Sequence, residues 1–409
     1  MSGTVIVGAS VAGVRTAQAL RSQGYSGAIT IVDAEEEWPY DKPALSKSFL
    51  SGQSHRDSLE LISKTEAASL EIELLLGTRA IGLDVAEKLL EVDRCVPIAY
   101  DSLVIATGGR ARPSPWGQPE GVHVLRTLDD ARKLHNDLSP GAHLAVVGAG
   151  FIGAEVASTA RAANVEVTLI DPLPYPMSRV MTPEVGDWFS RLHEAHGVTT
   201  RFGVGVESID GGRGNFALKL TDGTEVRSDS VLVGIGSMPN DEWLTDSGLL
   251  IDNGVLCDEF CRAIQTEGIY VAGDAARLMD QQTGPSVRLE HWTNAVEQAK
   301  TVAHNIVNPG DAQIHQSVEY VWSDQYDWRI QVAGRPSHDL DQVTHGDPFV
   351  QGRAAAIFVK GGALRGAVVV NWPRVLIEAR KAIARKWTAQ ELNDRIESLT
   401  QSVSITSKD

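Results

Sequence analysis

His143-Leu144-Ala145-Val146-Val147-Gly148-Ala149-Gly150-Phe151-Ile152-Gly153 runs from an apolar strand pattern into a glycine turn, and Ala154 to Ala163 continues in helical register. Val165 to Ile170 then reads as a second strand, closed by Asp171. Each glycine has its own task. Gly148 permits the tight strand-to-helix turn, Gly150 lets the backbone approach a pyrophosphate where a Cβ would collide, and Gly153 lets the helix pack against the strand. The amides at Phe151 and Ile152 lie at the positive end of the helix, which holds phosphates. Asp171 stands 23 residues beyond Gly148, where a carboxylate accepts from an adenosine ribose and repels a 2′-phosphate. This βαβ unit therefore predicts a site for NADH rather than NADPH.

The same pattern occurs about 140 residues earlier. Thr4-Val5-Ile6-Val7 leads into Gly8-Ala9-Ser10-Val11-Ala12-Gly13, a helix to about Gln23, the strand Ala28 to Val32, and Asp33. Ser10 occupies the middle glycine position, and its small hydroxyl can itself donate to a phosphate. Two copies of one unit predict two nucleotide sites in one chain, the first using Gly8, Ser10, Ala12, Gly13 and Asp33. Ala106-Thr107-Gly108 closes another strand, and Val271-Ala272-Gly273-Asp274 closes one more. An Asp after Gly at a strand end can reach a polyol, and beside two nucleotide units the ribityl chain of a flavin is the expected one.

These repeats predict an α/β fold: two doubly wound, Rossmann-like nucleotide-binding domains, which the family resemblance given below implies to be of the glutathione-reductase type, plus a mixed α+β C-terminal domain. The glycine- and proline-rich stretch from Gly108 to Pro119 separates the two units. The flavin domain must be discontinuous, because Gly273-Asp274 returns to the first unit. The expected boundaries are 1–110 with 232–314 for FAD, 111–231 for NADH and 315–409 for the C-terminal domain.

Composition narrows the function classes. Hydrophobic residues make up 43% and charged residues 22% of the 409, which excludes a wholly disordered or collagen-like chain. No apolar run is long enough to span a membrane. The start of the chain lacks a basic segment and cleavage site, so no signal peptide is expected and the cytoplasm is the expected compartment. The net charge of −16 argues against nucleic acid. Residues 1–314 carry 25 basic and 42 acidic residues, whereas 315–409 carry 12 and 11, so the last quarter escapes the acidic excess. Cys95, Cys257 and Cys261 form neither a disulfide framework nor a C-x-x-C pair. No metal site is expected.

Trp38-Pro39-Tyr40-Asp41-Lys42-Pro43-Ala44-Leu45-Ser46-Lys47 resembles the Pro-Tyr-x-Arg-Pro-x-Leu-Ser-Lys signature of FAD-dependent, NADH-dependent ferredoxin reductases serving ring-hydroxylating dioxygenases and bacterial cytochrome monooxygenases. Leu289-Glu290-His291-Trp292-Thr293-Asn294-Ala295 and Val321-Trp322-Ser323-Asp324-Gln325 are similar to that family too, as are the motif order and length. The departures are Ser10, and Lys42 where Arg is usual, which keeps the charge but loses bidentate geometry. The resemblance implies that Lys47 sits beside the flavin ring, that Lys42, Pro43 and Arg126 line FAD, and that Asp274 binds the ribityl chain. It places the helix start at His291-Trp292 at the pyrimidine end, where a helix N-terminus stabilises the reduced, anionic flavin, and Glu290 among the cofactor-binding residues. It further implies Glu155 near the nicotinamide, Arg179 on the NAD phosphates or ribose, Trp322 as an aromatic wall, and Gly236 in the cofactor-binding set. Lys47, Glu155 and Trp322 are the expected catalytic residues. Family relatives with disulfide or peroxide chemistry need a redox cysteine between about Asp33 and Leu50, and this chain has none before Cys95.

The expected activity is electron transfer from NADH through FAD to a [2Fe–2S] ferredoxin, by a monomer or homodimer. In Pro373 to Trp387, Leu376, Ile383 and Trp387 share one helical face, while Arg374, Lys381 and Arg385 fall opposite. That basic face, with Lys300, is the expected landing place of an acidic ferredoxin. Two other readings stay open: a rubredoxin reductase or NADH oxidase, and an NADH-responsive interaction protein resembling apoptosis-inducing factor.

Overall fold

The computed structural model describes residues 3–178, 181–279 and 286–405. The chain divides into two compact units: residues 1–44, 54–110 and 237–317 form the first, and 45–53, 111–236 and 318–409 the second.

In the first unit the strand Gly3–Val7 is buried along its whole length and pairs in parallel with Ile29–Asp33 on one side and Ile98–Ile105 on the other. Ile72–Leu76 and Ile269–Val271 extend the parallel sheet at its two sides. β-branched residues dominate these strands because both faces are covered. The helix Val11–Ser22 buries Val14, Ala17 and Leu20 against Ile6, Ile29 and Ile31, and the helix Trp292–Val307 adds Val302 and Ala303 to that core. The opposite face of the sheet packs Val5, Val7, Leu103 and Ile105 with Val255, Cys257 and Val271. Cys257 and Cys261 are both buried, and burial pushes both thiols well up, so they fill space.

The second unit repeats the arrangement around His143–Val147, which pairs in parallel with Glu166–Asp171 and Ser230–Val233. Its helix begins at Phe151, three residues before the helical run legible in the sequence, because Gly150 is extended and serves as the N-cap. The C-terminal region forms a five-stranded antiparallel sheet with Tyr320–Gln325 at one edge and Asp341–Asp347 at the other. The helices Pro373–Arg385 and Ala389–Ile405 follow.

The sequence suggests three domains, whereas the contacts form two units. The reason is the helix Pro183–Ala195: Val185, Phe189 and Leu192 enter one core with Ile330, Ala356, Phe358 and Val368 of the antiparallel sheet. Gln342 and Thr344 on the edge strand also donate to Glu184, at 2.8 and 2.9 Å. Among the described residues no helix is long and apolar enough to cross a membrane.

Candidate functional site: two glycine turns and a buried carboxylate

In the first unit Gly8 has φ +114°, and a Cβ there would stand 2.2 Å from the Ala106 carbonyl oxygen. A Cβ on Gly13 would meet the Gly8 carbonyl oxygen at 1.9 Å. Ser10 is the extended N-cap of the helix, and its side chain makes no capping bond. Asp33 closes the turn: the Ala9 amide donates to Oδ2 (2.5 Å) and the Glu35 amide to Oδ1 (2.7 Å). Burial pushes the Asp33 carboxyl up, against the pull of those amides. A carboxylate has about four acceptor positions, so capacity for a ribose hydroxyl remains. Thr107 and Gly108 are pinned by Asn240, whose Nδ2 donates to the Thr107 carbonyl (2.9 Å), whose carbonyl accepts from Thr107 Oγ1 (2.8 Å) and whose amide donates to the Gly108 carbonyl (2.9 Å), while the Ala106 amide donates to the Val7 carbonyl (2.8 Å).

Gly273, at φ +74°, meets the same corner: a Cβ there would lie 3.1 Å from Ala12 Cβ and 3.6 Å from Ala295 Cβ. Its amide donates to Gln298 Oε1 at 2.7 Å, and Asp274 follows in the short turn Gly273–Ala275. His291 is the N-cap of Trp292–Val307, and its Nδ1 is buried without a partner. Desolvation lowers the His291 pKa against the opposing charges of Asp274 and Glu290. Asn294 Nδ2 and Gln298 Nε2, on the same helix, are also buried and unpartnered. Trp292 Nε1 donates to Asp41 Oδ1 at 2.7 Å. Lys42 pairs with Glu35 at 2.8 Å and lies over the Tyr40 ring, while Glu290 pairs with Arg288 at 2.7 Å and accepts from Ser237. An uncapped helix start, the Asp274 carboxylate at a strand end and buried, unpartnered polar atoms on a second helix suit FAD, whose phosphates, polyol and pyrimidine need such donors and acceptors.

The second unit reproduces the turn. Gly148 has φ +106°, with a Cβ position 2.3 Å from the Gly234 carbonyl oxygen, and Gly153 would again strike the first glycine at 1.9 Å. Gly150 differs: no protein atom lies within 4 Å of its Cβ position, so packing does not require glycine there. Close approach of a pyrophosphate does. Asp171 accepts from the Ala149 amide (2.7 Å) and the Leu173 amide (2.8 Å), copying Asp33. Gly236 has φ +112° and Ile152 is 43% exposed. Arg126 precedes the helix Leu128–His135, its amide held by Asp130. Arg179 lies outside the described residues. The turn suits a dinucleotide with free ribose hydroxyls.

Glu155, one turn into this second helix, is only 2% exposed. Lys47 Nζ lies 2.7 Å from Oε2, Ser46 Oγ donates to the same oxygen (2.5 Å), and Ser323 Oγ donates to Oε1 (2.7 Å). Thr159 Oγ1, on the same helix, donates to the Ser46 carbonyl at 2.7 Å. Trp322 is half-buried and stacks on Tyr320 at 6.0 Å. Two catalytic candidates, Lys47 and Glu155, are thus brought together. Ser46 and Ser323 were missed as site residues, although each is the immediate neighbour of a residue singled out. Asn240 and Gln298 carried no signal beyond their polarity. On Pro373–Arg385, Arg374, Lys381 and Arg385 are exposed opposite buried Val375, Leu376, Ala379 and Ala382, with Lys381 paired to Glu378 at 2.8 Å. Among the described residues no group of three or more His, Cys, Asp or Glu could hold a metal ion.

Two parallel-sheet nucleotide units, each opened by a glycine turn and an acid, followed by an antiparallel C-terminal sheet, define a class of pyridine-nucleotide-linked flavin reductases. Residues 3–299 match the pyridine nucleotide-disulphide oxidoreductase family, and residues 320–402 match the reductase C-terminal family. Rhodocoxin reductase of Rhodococcus erythropolis is 37% identical over 384 residues, covering 93% of this chain and 89% of that protein. The ferredoxin–NAD(+) reductase component of the anthranilate 1,2-dioxygenase system of Burkholderia cepacia is 36% identical over 383 residues, 93% of each. The solved covalent putidaredoxin reductase–putidaredoxin complex matches with a TM-score of 0.91 at 31% identity, covering 100% of this chain and 99% of that one. The chain belongs to the pyridine nucleotide-disulphide oxidoreductase family, within the branch of FAD-dependent NADH:ferredoxin reductase components of oxygenase systems.

Proposed function

We propose that this chain is an NADH-preferring ferredoxin–NAD(+) reductase of the glutathione-reductase type, working in the cytoplasm and passing electrons to a [2Fe–2S] ferredoxin that feeds an oxygenase. The observation that carries the reading is the pair of matching glycine turns, each with its acid bonded to the turn amides and no side-chain cap on its helix. Bound FAD would take up the two electrons of a hydride and release them singly, as an iron–sulfur acceptor requires. The chain's own residues bind and orient. The first turn and Asp274 would hold FAD, with His291 and the start of the Trp292 helix favouring negative charge at their end of it. The second turn would hold the NADH pyrophosphate, and Asp171 would select a free ribose hydroxyl over a 2′-phosphate. Lys47, steadied by Glu155, would offer its ammonium protons to a bound cofactor. No step calls for a redox cysteine, and Cys257 and Cys261 are buried.

The exposed Arg374, Lys381 and Arg385 support the docking of an acidic ferredoxin. Exposed Lys300, which lines a groove with Arg15 and His304, supports a second basic contact. The relatives are reductases of rhodocoxin, of putidaredoxin and of a dioxygenase ferredoxin, which favours a ferredoxin as the partner here. The test is NADH-dependent cytochrome c reduction with and without a [2Fe–2S] ferredoxin, beside rubredoxin and oxygen as rival acceptors. Ferredoxin-dependent turnover well above both rivals is expected. Turnover with oxygen alone overturns the reading.

A further inference from the structure

The carboxylate of Glu155 is held from both sides. Ser46 and Lys47 reach Oε2, and Ser323, 168 residues further along, donates to Oε1. Ser323 is 0% exposed and is itself held, because Gln325 Nε2 donates to its oxygen at 3.1 Å. Gln325 is also fully buried. The two side chains share one face of the strand Tyr320–Gln325, with Trp322 and Asp324 on the other. The strand is then anchored to the helix that carries Glu155. Tyr326, in the following turn at φ +54°, donates its amide to Ser158 Oγ (2.7 Å), and its hydroxyl lies 2.9 Å from His193 Nδ1. Its ring stacks on His196 at 3.8 Å.

We infer that Ser323, backed by Gln325, is a positioning residue for the Lys47–Glu155 pair. The inference deepens the proposed function and rests on it. The direction of the chain is dictated by chemistry. An amide nitrogen only donates and a carboxylate only accepts, so the hydroxyl between them must give its proton to Glu155. The terminal bond of a Glu side chain is a broad, weakly restrained torsion. With Ser46 and Lys47 both on Oε2, the grip on Oε1 sets the plane of the carboxylate and hence where the ammonium rests.

The experiment is single-turnover reduction of the FAD-loaded protein by a series of NADH concentrations, with the labelling rate of Lys47 by reductive methylation read by mass spectrometry. In Ser323→Ala the limiting reduction rate falls about tenfold, the scale of a sub-ångström misplacement of a reacting group, while NADH affinity and FAD content hold within about twofold. Labelling of Lys47 rises several-fold relative to Lys300. Ser323→Thr restores both, and Gln325→Met falls about threefold in rate. A Ser323→Ala rate within twofold of the parent, with Lys47 labelling unchanged, overturns the inference. Should Ser323→Ala not retain FAD, a parental rate in Gln325→Met overturns it equally. If the parent protein is not reduced by NADH at all, the proposed function fails instead, and Lys47 labelling still reports on the positioning.

Discussion

Replacing Glu155 by Ala removes in one step the acceptor of two buried hydroxyls and one ammonium. The side chains of the ion pair are 3% and 21% exposed, so water screens it little. Removing one partner of a buried pair costs about 3–5 kcal/mol. Lys47 keeps a fifth of its side chain in solvent and recovers part of its hydration, which places the cost near the lower end, about 3 kcal/mol. In a folded unit of 150–250 residues each kcal/mol moves Tm by about 2–4 °C, so the second unit should melt about 6–12 °C earlier. Glu155→Gln keeps the volume and one acceptor oxygen and should lose about half as much. Removing both charges, as Lys47→Met with Glu155→Leu, leaves no uncompensated ion, and the double variant should lose less than the sum of its single changes. Near-ultraviolet circular dichroism melts at neutral pH measure the parent, Glu155→Ala, Glu155→Gln, Lys47→Met, Glu155→Leu and the double variant. If Glu155→Ala melts within 2 °C of the parent, the argument from a buried, three-donor carboxylate is wrong.

Asp171→Ala should raise the KM for NADH by about tenfold or more and narrow the preference over NADPH, since the carboxylate braces the turn amides and, on the proposed function, would face the ribose; steady-state kinetics with both coenzymes decide. His193 is buried and its pKa is pushed down to about 4 by desolvation and by neighbouring His196. The unfolded chain therefore takes up that proton first: the stabilising contribution is full above about pH 6.5 and is lost as pH falls toward 4, a window that the half-buried His315 shares. Urea midpoints should drop between pH 7 and 5, and His193→Gln should flatten the drop. Charge reversal at Arg374, Lys381 and Arg385 should weaken ferredoxin reduction and its salt dependence while NADH-to-ferricyanide turnover persists; unchanged ferredoxin kinetics would remove this face from consideration.

The glycine turns and their acids were legible because their demands are local. Gly8, Gly13, Gly148 and Gly153 answer to backbone atoms a few residues away or on an adjacent strand, and the pattern of strand, turn, helix and acid carries its own spacing. The basic stripe on Pro373–Arg385 was legible for the same reason, since a helical period places residues without reference to the rest of the chain. Contacts across long separations were not. Nothing local in Trp188-Phe189 says that this amphipathic helix will close a core with an antiparallel sheet more than a hundred residues later. Ser46 and Ser323 looked like ordinary serines beside a lysine and a tryptophan, and only the fold turns them toward one carboxylate. The sequence marks Asp171 as a ribose ligand, whereas the bonds that Asp171 and Asp33 make in the structure are to turn amides, an engagement that no residue pattern distinguishes from the other.

The path of the backbone bears on how such a protein can be taken apart or recombined. The chain changes unit after residues 44, 53, 110, 236 and 317, so neither unit is a contiguous stretch of gene. A chimera with a relative made by one crossover would join half of each nucleotide-binding body to a foreign half. An exchange of coenzyme specificity between relatives by whole-unit grafting therefore needs five junctions, and the short excursion 45–53, which delivers Ser46 and Lys47, has to travel with the unit it enters rather than with the sequence that flanks it.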